Sequence, residues 1–180
     1  MKNMILAGMA AVLLMAGCAT IKSVEEREKT YGKEAPVITE TFASKQLRPG
    51  DTLKIYLKAS DPGGDIYKIV AMVNQPGLGL YPVSYTQVPQ ENGKELSGYV
   101  YLNTQGPYDV GWQNFLSLSV TVQIQDRAGH FSEPVIFPLS FQSRYTQEPP
   151  PSGKFKEQDL GPIMVVLRPP DGDQGSAFGF

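Results

Sequence analysis

Leu116-Ser117-Leu118-Ser119-Val120-Thr121-Val122-Gln123-Ile124-Gln125 is the chain's most regular stretch. Its apolar residues recur at every second position with Ser, Thr and Gln between them, the period of a strand with one buried and one wetted face. Asp126-Arg127-Ala128-Gly129-His130 then supplies turn residues, and Val135, Phe137, Leu139 and Phe141 repeat the alternation, so the two runs pair as a hairpin. Working toward the N-terminus, Leu96 to Leu102 is a strand between Asn92-Gly93 and Gln105-Gly106-Pro107, rich in β-forming Tyr99, Val100 and Tyr101. Leu80 to Val88, broken by Pro82 and ended by Pro89, fits only an edge strand or an irregular crossing. Ile66 to Val73 is apolar on both faces, as a central strand requires. Leu53, Ile55, Leu57 and Ala59 alternate with Lys54, Tyr56 and Lys58, between the turns Arg48-Pro49-Gly50-Asp51 and Asp61-Pro62-Gly63-Gly64-Asp65, and Val37 to Phe42 makes a first strand. The 18 glycines and 15 prolines fall as punctuation between these runs. About seven strands without helical periodicity predict an all-β chain, an antiparallel two-sheet sandwich.

Composition removes several classes of function. The net charge is −2, too acidic for the electropositive field that DNA or RNA demands, so no nucleic-acid partner is expected. No Gly-x-Ser-x-Gly elbow, Ser-x-x-Lys pair, Walker loop or His-Glu-x-x-His helix occurs, and the expectation is a chain that is not an enzyme and carries no cofactor. The only cysteine is Cys18, so no disulfide can hold the domain together.

That cysteine closes an apolar run from Met4 to Ala16 behind Lys2, too short for a permanent membrane span and suited to a secretory signal. Leu14-Met15-Ala16-Gly17-Cys18 resembles the lipobox of bacterial lipoproteins. The resemblance implies cleavage between Gly17 and Cys18, diacylation of the Cys18 thiol, and, with Ala19 following, delivery to the outer membrane on either its periplasmic or its outer face. Acyl chains contribute about 0.8 kcal/mol per buried CH₂, so such a terminus stays at the membrane. Residues 18–35 then form a charged tether with at most a frayed helix, reaching roughly 25 Å as a coil and about 60 Å at full extension.

The run from Pro36 to Gln142 resembles the immunoglobulin-like and fibronectin-III-like modules of bacterial envelope proteins. The carriers are Pro49-Gly50-Asp51 before the strand at Leu53 and Asp126-Arg127-Ala128-Gly129-His130-Phe131-Ser132 before the last one. The domain plan is a signal peptide at 1–17, the lipidated tether at 18–35, the immunoglobulin-like sandwich at 36–143 and a Pro-rich linker at 144–158. An additional strand or docking segment follows at 159–168, and a disordered Gly-rich tail at 169–180. Glu148-Pro149-Pro150-Pro151-Ser152 is expected to lead the chain stiffly away from the sandwich. Ile163-Met164-Val165-Val166-Leu167 is an apolar β-forming run that must be covered, either by joining a sheet or by docking on another protein.

Three sets of residues invite chemistry. Asp61, Asp65 and Asp126 sit in turns where oxygen ligands could meet around calcium, although Asp in β-turns usually bonds its own backbone. Trp112, Tyr99 and Tyr101, with Tyr81, Tyr85 and Tyr108, could form a stacking platform for glycan or peptidoglycan; as strand residues they serve cross-strand packing equally well. His130 at a loop tip reads as a solvated histidine. The expected function is therefore a membrane-anchored envelope lipoprotein that binds or assembles with an envelope protein, and the alternative is a glycan-binding module.

Overall fold

The computed structural model describes residues 22–107, 110–113 and 116–169, and for Val110 and Trp112 the backbone alone. The signal sequence with Gly17 and Cys18, Tyr108, and the tail from residue 170 onward lie outside the described residues. Helix α1 (Val24–Tyr31) comes first, followed by strands β1 (Val37–Ala43), β2 (Gln46–Leu47), β3 (Thr52–Ser60), β4 (Ile66–Gln75), β5 (Gly79–Leu80) and β6 (Ser84–Gln87). Strands β7 (Glu95–Asn103), β8 (Ser117–Asp126), β9 (Val135–Phe141) and β10 (Asp159–Pro162) complete the order. Among the described residues no helix is long and apolar enough to cross a membrane.

Two sheets pack face to face. The first has the order β1-β3-β7-β10, and the second runs β2-β9-β8-β4-β5 with β6 also on β4. The alternation at Leu116–Gln125 places Leu118, Val120, Val122 and Ile124 inside, opposite Leu53, Ile55, Leu57, Val100 and Leu102 of the first sheet.

The expectation of purely antiparallel sheets is corrected: both sheets are mixed. β2 runs parallel to β9, and β10 runs parallel to β7. The chain leaves the first sheet at Ala43 and enters the second only three residues later at Gln46, keeping its direction as it crosses. β10 arrives after a connection from Phe141 to Asp159, long enough for the parallel approach that a tight turn forbids. Among the described residues there are ten strands: Pro82 splits the expected Leu80–Val88 into β5 and β6, the two-residue β2 carries no alternation to reveal it, and β10 falls within the additional C-terminal strand expected at 159–168.

Two segments expected to leave the sandwich lie on it. Ser23 caps α1, accepting from the Glu26 N–H while the Glu26 carboxylate accepts from the Ser23 N–H, a reciprocal box that stabilises a short helix. No residue of α1 is buried, so polar contacts hold it against the turns at one end of the sandwich. The Tyr31 carbonyl comes so near Gly63 that a Cβ there would sit 2.7 Å from it. The Pro-rich stretch does not lead away either: beyond it, residues 153–158 turn back over the outer face of the first sheet. Phe155 meets Tyr56 at 5.7 Å between ring centroids, an aromatic contact that outweighs the stiffness of the prolines before it.

Candidate binding cleft

Alternation along β1, β3 and β7 turns a second set of side chains outward, namely Glu40, Phe42, Lys54, Tyr56, Lys58, Ser97, Tyr99 and Tyr101. Residues 153–158, here the strap, fasten across this face at both ends. At one end the Glu40 carboxylate takes Lys58 Nζ at 3.2 Å on one oxygen and Lys154 Nζ at 2.9 Å on the other. At the other, Glu157 accepts from the Tyr56 hydroxyl at 2.8 Å and pairs with Lys54 Nζ at 3.2 Å. The Tyr99 N–H donates to the Gln158 carbonyl at 2.8 Å, where the strap passes into β10. Gly98 permits that passage, because a Cβ there would lie 2.5 Å from the Gln158 carbonyl oxygen.

The groups respond to these contacts. Hydrogen bonds from Lys154 and Lys58 hold the Glu40 carboxyl below its ordinary range, and the Tyr56 hydroxyl, with Lys54, does the same for Glu157. Burial, together with the Glu157 carboxylate, pushes the Tyr56 phenol up. Between strap and sheet an open cleft of about 490 Å³ remains, lined by Lys58, Ser60, Asn92, Ser97, Phe155 and Lys156 among others. It can hold a small polar ligand against one aromatic wall, with ammonium groups and hydroxyls as its hydrogen-bonding partners.

The aromatics read as a glycan platform are divided. Tyr99 and Tyr101 are half-buried on this outer face, where Tyr56 stands 5.4 Å from Tyr99 and Lys54 Nζ lies 4.1 Å over the Tyr99 ring. Tyr81 is instead buried, donating to Gln75 Oε1 at 2.7 Å, and Tyr85 is exposed on the second sheet beneath Lys68. The Trp112 side chain lies outside the described residues. The sequence reading missed Phe155, Glu157, Lys154 and Lys156, whose only signal was a charged-aromatic stretch following the prolines. Lys54, Tyr56 and Lys58 were visible as the wet side of a strand, without any sign of what covers them.

The segment Ile163–Leu167 alternates in burial. Ile163, Val165 and Leu167 belong to the core, whereas Met164 and Val166 are exposed. The Ile163 N–H donates to the Tyr101 carbonyl at 2.7 Å, the Met164 N–H to Ser84 Oγ at 2.8 Å and the Arg168 N–H to the Tyr81 hydroxyl at 2.9 Å. Residues 159–168 thus form a clasp that closes the side of the sandwich between β7 and β6. Gln75, fully buried, is satisfied by Tyr81 and by donating to the Arg168 carbonyl at 2.9 Å.

Asp61, Asp65 and Asp126 do come together, buried at the sandwich end that carries α1. Their oxygens are engaged by backbone: Asp61 accepts from the Gly63 and Asp65 N–H groups, Asp65 from that of Arg127, and Asp126 from those of Gly129 and His130. Among the described residues no cluster of three or more ligating side chains is arranged to hold a metal ion. Burial, then the neighbouring Asp61, pushes the Asp65 carboxyl up to about 6. His130 is not a solvated tip. Its Nε2 lies 3.1 Å from Glu28 of α1 and its Nδ1 2.9 Å from Asp126, and hydrogen bonding to Glu28, then to Asp126, raises its affinity for a proton.

No protein-family model and no curated protein matches this chain.

Proposed function

We propose that the protein is a bacterial lipoprotein, anchored in the outer membrane through Cys18, whose immunoglobulin-like sandwich acts as a non-catalytic binding or assembly module. The strand order supports the immunoglobulin-like assignment. A constant-type sandwich sets A-B-E-D against C-F-G. Here β1-β3-β7 takes the places of A-B-E, and β4-β8-β9 those of C-F-G. The place of D, beside E, is filled by β10 from the far end of the chain. The anchor would stand only five residues before the helix cap Ser23, so Ser23, at the start of the docked α1, is held within about 17 Å of the acylated residue.

The observation that carries the binding reading is the cleft under the strap: a preformed concavity of about 490 Å³, inside the range of roughly 300–1,000 Å³ typical of ligand sites. The same observation favours the glycan reading as the second one, because hydroxyls and lysines face a single aromatic ring there. A docking role for Ile163–Leu167 is less supported, since its inward residues serve the core and leave only Met164 and Val166 to a partner. The test is a cross-linked pull-down from intact envelopes comparing the natural chain with Phe155→Ala/Glu157→Ala. Loss of captured material from a variant that still melts cooperatively supports the cleft; an unchanged set of partners overturns it. Fatty-acid labelling that persists in Cys18→Ala would overturn the anchor.

A further inference from the structure

We infer that the cleft beneath the strap binds an acidic saccharide, a sugar bearing a carboxylate. This rests on reading the cleft as a binding site. Lys58, Lys154 and Lys156 all line it. The first two share the single carboxylate of Glu40, and Lys156 makes no ion pair among the described residues. Against these three ammonium groups stand only Glu40 and Glu95, so the cleft is net positive on a chain whose net charge is −2. A local field of sign opposite to the whole molecule selects for negative charge in what enters.

The rest of the lining calls for more than a charge. Ser60 and Ser97 on the strands, Asn92 in the turn before β7 and the acceptor side of Thr39, whose O–H donates to the Lys58 carbonyl, bring polar groups to the lining, where a compact anion would leave most of them idle and a ring of hydroxyls would engage them. Ser97 Oγ already accepts the Lys156 N–H at 3.3 Å, so its own O–H is free to donate to a ligand, and Lys156 is fixed at its backbone beside it. Phe155 supplies one apolar wall for the C–H face of a sugar ring. A nucleobase, by contrast, would be poorly served by a single ring with no partner ring across the cleft.

The test titrates the isotope-labelled full chain in detergent micelles with a trimer of galacturonic acid and, separately, with neutral maltotriose, following backbone amides by NMR. The expected result is saturable shifts at Ser60, Asn92, Ser97 and Lys156 with the acidic trimer only, weakened several-fold by raising salt and about tenfold or more in Lys156→Glu, a change of roughly 1.4 kcal/mol or more. Lys156 is exposed, and an unchanged melting transition shows that the variant is folded. Equal binding of maltotriose overturns the acidic requirement and leaves the glycan reading standing. Shifts elsewhere, or none at about 10 mM of either sugar, overturn the saccharide ligand, and the pull-down then decides the binding reading by itself.

Discussion

The strap and the clasp are consecutive in the chain and opposite in how they are held. Residues 153–158 are mostly exposed and fastened by ion pairs, hydrogen bonds with Tyr56, Ser97 and Tyr99, and one ring contact. Residues 159–168 send Leu160, Ile163, Val165 and Leu167 into the core. Exposed ion pairs contribute about 0–1 kcal/mol each, whereas truncating a buried Leu or Ile costs about 2–5 kcal/mol. One C-terminal extension thus combines an integral strand with a surface cover. Lifting the strap would uncover one outer face, whereas removing the clasp would expose the core.

The largest effect that would test this contrast comes from Val165→Pro, which removes an N–H donating to the Ile163 carbonyl and disturbs the inward side chain. Loss of the cooperative urea transition is expected, and a folded variant would make the clasp peripheral. Leu167→Ala should cost about 3 kcal/mol by urea denaturation, with the m-value unchanged. A cost below about 1 kcal/mol would put the clasp on a par with the strap.

At the α1 end, Asp65 adds a pH axis. Its carboxyl keeps its proton up to about 6 when folded, against an ordinary 3.8, so stability falls as pH rises through that window. Asp65→Asn should therefore stabilise the domain by on the order of 2 kcal/mol at about pH 8 and change little at about pH 4. His130 shifts in the same sense: its contribution is full in mild acid and lost as pH rises past its raised value, so a melting temperature that climbs steadily from mild acid to alkaline pH would contradict both assignments. Smaller still, Phe155→Ala should cost about 1 kcal/mol in thermal unfolding while speeding amide exchange at Lys156 and Tyr99, whose N–H groups bond Ser97 and the strap. Smallest of all is the strap's own titration. Glu40 and Glu157 are held below the usual carboxylate range, so their pairs persist above it and are lost as pH falls. Acid should therefore loosen exchange protection at Lys156 with no shift of the global transition.

Much of the fold was legible because a sheet with one wet face writes a period of two into the chain. Leu116–Gln125 and Leu53–Ala59 are such strands, and both lie where their alternation puts them. β2 has two residues and β10 four, too short to show a period, and their pairing depends on strands distant in sequence. The candidate site was harder to read. Tyr56 looked like a surface residue on the wet side of β3, yet it is buried because Phe155, nearly a hundred positions later, lies over it. His130 looked solvated because its partner Glu28 belongs to a segment whose composition predicts a tether.

Local chemistry alone carries part of this protein's organisation. That covers the strands, from alternation; the turns, from Pro, Gly and Asp; the absence of a disulfide framework, from a single cysteine; and the resemblance to a lipobox, from five adjacent residues. Contacts between distant parts of the chain settle which strand fills the open place beside β7, that a charged helix is held to the turns through Glu28 and His130, and that an outer face is roofed to leave a cleft. The physical reason is range. Periodicity and turn propensity act over a few residues, whereas ion pairs, ring contacts and parallel pairing join groups far apart in the chain and leave no periodic trace.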